Sequence, residues 1–285
     1  MGMNKLPPKV RAKMLNMLCE GSSMRSVSRL ADVSINTVGK LLIDAGKFCA
    51  AFHDDKVRGV KASRIQCDEI WSFTYAKAKN VALAKAAPDG AGDTWTWTGI
   101  AADSKLIVSW LVGGRDSEYA IAFMDDLRSC LSNRVQLTTD GHKAYLQAVE
   151  GAFGAAPDSA KGKSSPAECI GTQKHRIEGD PDPKHVSTSY VERSNLTMRM
   201  HNRRFTRLTN AFSKKFESHV HMVAIWAVWY NWVRQHKTLR VSPAMAANIT
   251  DHLWTWEEIV AAMDEIAPKP GRPKTYKKRS EEISN

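Results

Sequence analysis

The sequence predicts an α/β fold with a mixed sheet and flanking helices, preceded by a small all-α unit. Three observations carry that prediction. Apolar residues three and four apart dominate residues 9–47, which is the helical period. Short runs rich in β-branched and aromatic residues follow between residues 64 and 112. Beyond residue 117 the helical period returns, broken by one brief strand near residue 135.

The totals set wide bounds. A chain of 285 residues has room for two domains and a sizeable core. Forty-one Lys and Arg against 30 Asp and Glu leave a formal charge of +11, which favours a polyanionic partner such as nucleic acid. The five cysteines (Cys19, Cys49, Cys67, Cys130, Cys169) are scattered and form no C-x-x-C pair. That spacing indicates neither a disulfide scaffold nor a zinc finger, and the cysteines are expected to be reduced packing residues. No apolar run reaches about 18 residues, so a soluble cytoplasmic protein without a membrane partner is expected.

Residues 9–47 read as three short helices. Lys9 to Glu20 carries Val10, Met14, Met17 and Leu18, and Gly21 closes it. Ser23 to Ala31 is the second, Asp32-Val33 the turn, and Ser34 caps a third that ends near Gly46. This arrangement resembles the helix-turn-helix of DNA-binding proteins, whose last helix enters the major groove. On that reading Asn36, Thr37 and Lys40 meet base edges, and Arg25 and Arg29 lie nearer the phosphates. The alternative is a plain three-helix bundle used for protein contacts. The assigned limits are 1–50 for this unit, 51–63 for a polar linker, 64–265 for the α/β domain and 266–285 for a basic tail.

Strands are expected at Arg64–Tyr75, Thr94–Asp103 and Leu106–Val112, the last two made antiparallel neighbours by the short Asp103-Ser104-Lys105 connection. Ser117–Leu131 is an amphipathic helix with Ala120, Ile121, Met124 and Leu127 inward. Val135–Thr139 is a strand broken by Asp140-Gly141-His142, and Lys143–Phe153 is helical. Residues 155–185 are polar, with one strand around Glu168–Thr172. A long helix is expected over Ala211–His236, its aromatic cluster at residues 225–232 reading as core rather than as a base-stacking platform.

Thr188 to Leu208 holds no Gly or Pro and opens with hydroxylated residues that suit a helix N-terminus. At about 100° per residue, Glu192, Asn195, Arg199 and Arg203 share one stripe, and Val191, Met198 and Phe205 another. Between Arg193 and Phe216 there are seven Lys or Arg and no acid, so this face is expected to meet something anionic.

Three acids stand where chemistry would gather: Asp68 inside the first strand, Asp140 at the end of the fourth, and Glu192 near the start of the basic helix. Carboxylates are unfavourable in strands, and a buried one must be paired or metal-bound. Converging at one sheet edge, the three would hold two hard cations through oxygen, suited to in-line attack on phosphate. Asp103, Asp116, Asp125 and Asp126 fall in turns or on a helix surface, and Glu69 points to the opposite face of the sheet and reads as structural. His219 and His221, two apart on a helix, share no ligand face. His142 and His236 read as structural hydrogen-bonding groups, with contact to DNA or phosphate as the other possibility.

The blocks Cys-Asp-Glu-Ile-Trp (67–71), Thr-Thr-Asp-Gly-His-Lys-Ala-Tyr (138–145) and Tyr-Val-Glu-Arg-Ser-Asn-Leu-Thr-Met-Arg (190–199) resemble the three catalytic blocks of bacterial insertion-sequence transposases of the DDE type. The segment 230–247 is similar to that group as well, and the resemblance covers about residues 64 to 265. It implies a ribonuclease-H-like fold, with Asp68, Asp140 and Glu192 as catalytic metal ligands for two Mg²⁺ ions, Mn²⁺ substituting. It implies that Arg199, seven residues after the Glu, contacts DNA, and that the enzyme works on double-stranded transposon ends and target DNA, as at least a dimer, in the bacterial cytoplasm at the nucleoid. Glu192 follows Asp140 by 52 positions, more than in the shortest family forms, so residues 155–185 read as a loop insertion. The tail's Gly271-Arg272-Pro273 resembles an AT-hook that would lay Arg272 in a minor groove, a generic basic tail being the alternative. A DNA-binding regulator without activity and another nuclease of the same fold are the rival readings.

Overall fold

In the computed structural model, residues 5–154, 181–206 and 210–267 are described. The N-terminal helices follow their capping signals. Helix α1 (Pro8–Cys19) carries its proline in the first turn, where no backbone donor is needed. Ser23 Oγ accepts from Ser26 N at 3.1 Å to start α2 (Met24–Leu30). Asp32, in the left-handed region at φ 50°, makes the turn, and Ser34 Oγ accepts from Thr37 N at 3.1 Å to start α3.

Helix α3 corrects the expected stop at Gly46: it runs Ile35–Lys56, so six of the residues assigned to a linker are helical. Gly46 is a contact glycine rather than a cap, since a Cβ there would lie 2.3 Å from the Cβ of His221. The extra turns carry Cys49, Phe52 and His53 into the core, where Phe52 meets Trp232 and Trp254 edge-on. Their burial holds the helix together past a residue that ends many others.

The sheet has strand order β3-β2-β1-β4. Strand β1 (Arg64–Thr74) pairs antiparallel with β2 (Gly92–Ala101), β2 antiparallel with β3 (Ile107–Gly113), and β1 parallel with the short β4 (Gln136–Thr138). The loop before β2 holds one short helix, α4 (Ala78–Val81). Helices α5 (Ser117–Cys130) and α6 (Ala144–Phe153) cover one sheet face, with Trp97 of β2 against Phe123 and Tyr145. Within α5, Phe123 is buried and Ile121 is exposed, the reverse of the inward role expected for Ile121. The helix turns its aromatic toward Trp97 and Gly99 instead.

The opposite face carries α7 (Ser189–His201) and α8 (Phe216–Val228). Both are shorter than expected. Buried Asn202 ends α7, and its Oδ1 accepts from Arg204 N at 3.2 Å to open a separate turn over Arg203–Phe205. The stretch before α8 is made of turns and bends, with Ser213 bridged to Thr74 and its carbonyl accepting from Tyr75 N at 2.7 Å. Helix α8 passes into a wider π turn at Trp229–Val233, then the chain makes α9 (Pro243–Ala246) and α10 (Trp256–Ile266). In the π turn, buried Asn231 mimics a strand partner for β3: Oδ1 accepts from Ile107 N and Nδ2 donates to Ile107 O, both at 2.9 Å.

One hydrophobic core runs from α1 through α3 and α8 to the sheet. Trp226, Trp229, Tyr230 and Trp232 are buried in it, as a core cluster must be. Arg11 Nη1 of α1 donates to Asp264 Oδ1 of α10 at 2.7 Å. Cys19, Cys49, Cys67 and Cys130 are buried and free. Among the described residues no helix is long and apolar enough to cross a membrane. Cys169, the strand expected at Glu168–Thr172, and Arg272 with its tail lie outside the described residues.

Candidate metal and nucleic-acid site

Alternation along β1 sends Gln66 and Asp68 toward α7 and Cys67 and Glu69 toward α5 and α6. Gln66 Oε1 accepts from Tyr190 N at 2.8 Å and from Val191 N at 3.1 Å. A buried strand residue therefore caps the helix, a task normally met by the helix's own Ser or Thr. Thr188 is released from that task, and its hydroxyl donates to Glu192 Oε1 at 2.6 Å. One turn further, Asn195 Nδ2 donates to Asp68 Oδ2 at 2.8 Å while its Oδ1 accepts from Thr98 Oγ1 at 3.2 Å. Helix α7 is thus tied to the sheet on either side of Glu192.

Asp140 follows β4, at the strand's C-terminal end beside β1. Gly141, at φ 85°, turns the chain sharply there, and Asp140 Oδ1 accepts from His142 N at 3.1 Å. Asp68, Glu69 and Asp140 each present an oxygen within 4.8 Å of the other two, a cluster that could hold a metal ion. Glu69 sits on the opposite face from Asp68, as expected, and its carboxylate reaches the same edge, where it pairs with Arg115. Arg115, just past β3, lies 3.2 Å from Glu69 Oε2 and 3.8 Å from Asp140 Oδ2. His142 donates to the Arg115 carbonyl at 3.1 Å and stacks on Trp97, which is its structural reading.

The electrostatics are those of crowded carboxylates. Burial pushes the Asp68 carboxyl up; the Asn195 bond opposes that, and the charges of Asp140 and Glu192 add to it. Burial raises Glu69 as well, opposed by the Tyr145 hydroxyl, reinforced by Asp140, and opposed again by Arg115 and His142. So Glu192 is close enough for Asp68 to feel its charge, although it stands outside the tight trio and is exposed. The structure brings Asp68 and Asp140 together and leaves Glu192 beside them.

Of the basic residues, Arg199 is half-buried on α7, two turns from Glu192. Arg203 is off that helix and therefore off its stripe, because Asn202 breaks the helical register. With Arg25 of α2 it lines a cleft of about 890 Å³, joined by Arg204, Lys214 and Lys215. Leu18, Met24 and Met222 supply apolar wall, and among the described residues lining the cleft none is acidic. The carboxylate cluster lies outside it. Arg29, Asn36 and Lys40 are exposed on α2 and α3, while the Thr37 hydroxyl bonds Ser34 Oγ at 2.9 Å within the cap.

Sequence reasoning missed Gln66, Arg115 and the part played by Glu69. Gln66 had no signal of its own, since its face of β1 also carries Arg64, Asp68, Ser72 and Thr74. Arg115 had none, since only the fold carries it from a β3 end to the β1 edge. The histidines expected to share no ligand face do not: buried His219 bonds Ser72 Oγ and Ser213 Oγ, and His221 pairs with Glu217. No family model matches the chain, and no curated protein matches it.

Proposed function

We propose that the chain is a DNA transposase of the DDE type. It would bind the terminal inverted repeats of its own element and catalyse metal-dependent strand cleavage and transfer. The observation that carries this reading is the meeting of Asp68 and Asp140 at one sheet edge, with Glu192 held beside them on a helix that the Asp68 strand itself caps.

The donor set fits a hard divalent cation: carboxylate oxygens only, with burial first and the neighbouring acids second raising the Asp68 pKa. Two Mg²⁺ ions, or Mn²⁺ in their place, would activate a water or 3′-hydroxyl and stabilise the leaving oxygen. Asp68 and Asp140 would hold them, with Glu192 completing the set. Gln66 and Asn195 hold α7 so that Glu192 stays in reach, and Arg115 orients the Glu69 and Asp140 carboxylates. The mixed sheet, with its parallel β1–β4 pair, is compatible with a ribonuclease-H-like domain over residues 64–265. Helices α2 and α3 would act as the helix-turn-helix reader, with Asn36 and Lys40 exposed at the start of α3 to meet base edges. Joining two DNA ends in one reaction calls for at least a dimer on DNA.

Asp140→Asn tests the reading with little structural disturbance, because asparagine keeps the oxygen that accepts from His142 N. With duplex ends from the repeats flanking the gene, the variant is expected to bind as wild type and to cleave at least a hundred-fold more slowly in Mg²⁺. Equal cleavage by both proteins would remove Asp140 from the chemistry.

A further inference from the structure

The sheet face that carries Glu69 and Trp97 continues outward through Trp71 and Phe73 of β1 and Trp95 of β2. Trp71 and Trp95 are directly opposed across the strands. Phe212, in the bend next to the Ser213 bridge at the end of β1, adds a further ring. Trp71 and Phe73 are 5.8 Å apart between centroids, and Phe73 and Phe212 4.8 Å. All four rings are half-buried, unlike the fully enclosed Trp97 and Trp226.

Cations stand over this row. Lys77 Nζ is 5.7 Å from the Trp71 ring, Arg115 Cζ 4.4 Å from Trp95, and Lys214 Nζ 3.9 Å from Phe212. The row also connects two sites. At one end Arg115 touches Glu69 and Asp140 of the carboxylate cluster. At the other, Phe212 and Lys214 line the basic cleft with Arg25, Arg203 and Arg204. Inside that cleft Arg204 donates to the neutral Ser213 Oγ at 2.9 Å, and burial draws its guanidinium down to about 10. An anion there would relieve the cost of burying that charge.

We propose that this aromatic row is a track for single-stranded DNA, leading from the carboxylate cluster to the basic cleft. Unpaired bases stack on Trp95, Trp71 and Phe212, and the strand's phosphates lie against Arg115, Lys77 and Lys214 on the way to the cleft. Only an unpaired base offers a face to a side chain, since in a duplex both faces are occupied by neighbouring pairs. Alternating rings and cations are the chemistry such a strand requires. This inference rests on DNA being the substrate, and deepens that reading by stating that the strand is unpaired where it approaches the acids.

The test is anisotropy of a labelled oligothymidine strand on the full chain, with a duplex end run in parallel. Trp71→Ala and Phe212→Ala are each expected to weaken strand binding about ten-fold or more. Trp71→Phe should restore most of it, and duplex binding should stay within about two-fold. Circular dichroism and thermal melting confirm that each variant is folded. Strand binding equal to wild type in folded Ala variants, or no strand binding by the wild type, overturns the track. Cleavage and strand transfer separate this from the transposase reading: a track with no joined product sinks the enzyme, and joined product without ring-dependent strand binding sinks the track.

Discussion

Asn195 Nδ2 donates to Asp68 Oδ2 at 2.8 Å, joining the first acid of the strand to the helix that carries the last. The same amide accepts from Thr98, so three elements meet at one buried side chain. Removing it strands a carboxylate and a hydroxyl. Asn195→Ala is expected to lower stability by about 1–3 kcal/mol in denaturant unfolding. Asn195→Asp should lose more, because it adds like charge beside Asp68, and should recover on adding Mg²⁺.

Gln66 offers a cleaner separation of fold from site. Gln66→Leu removes the acceptor for Tyr190 N and Val191 N and is expected to cost about 1–2 kcal/mol, a typical capping loss. Gln66→Glu keeps the oxygen at a helix N-terminus but buries a charge on the same face as Asp68, so its loss should grow as pH rises, whereas that of Gln66→Leu should not. Thermal melting of the two variants side by side across pH checks this, and losses that run parallel at every pH would contradict it.

Two buried histidines set the acid limit. Burial draws His53 down to about 4, against the raising effect of its bond to the Ile107 carbonyl, and draws His219 down to about 3, helped by Arg204. Both folded values lie below the unfolded value of about 6.5, so their stability is present above that pH and is lost as pH falls toward the folded values. Each contributes a slope of about 1.4 kcal/mol per pH unit in that window. His219→Gln, which keeps hydrogen-bonding capacity toward Ser72 and Ser213, should flatten the stability curve by about one such slope between pH 6 and 4.

Divalent cations should act on Asp68 in the opposite sense. Its folded pKa is raised by burial and then by Asp140 and Glu192, so the ionised form costs stability as pH rises through that value. A bound cation favours the ionised form and releases protons. Mg²⁺ or Mn²⁺ is therefore expected to raise Tm, by about 2–4 °C per kcal/mol of binding, and more at neutral pH than near pH 4. Asp140→Asn should lose most of that gain. A Tm indifferent to either ion at every pH would argue against a metal centre.

Much of this was legible in the sequence, for reasons that particular residues make plain. Ser34 caps the helix it was expected to cap, since a hydroxyl before a periodic apolar run has few other uses. The β2–β3 pairing followed from a three-residue connection. Gly46 misled because a glycine that permits close helix packing looks like one that ends a helix. The break at Asn202 was hidden because an asparagine is tolerated in either role. Helix α10 escaped notice although Thr255 and Glu258 form a capping box at its start. At the site, Asp68 and Asp140 could be named from their strand contexts. Glu69 and Arg115 could not, because their meeting depends on how the β1 edge, the β3 end and the β4 end come together in space.

The central claim is that Asp68, Asp140 and Glu192 act as one metal-dependent centre on DNA. Its most direct test is strand transfer in Mg²⁺ or Mn²⁺, using ends taken from the inverted repeats, with wild type and Glu192→Gln compared. Glutamine keeps an acceptor for the Thr188 hydroxyl, so the start of α7 should remain in place. Joined product from wild type alone is the predicted result. Equal product from both proteins, or specific end binding with no product from either, would contradict the account.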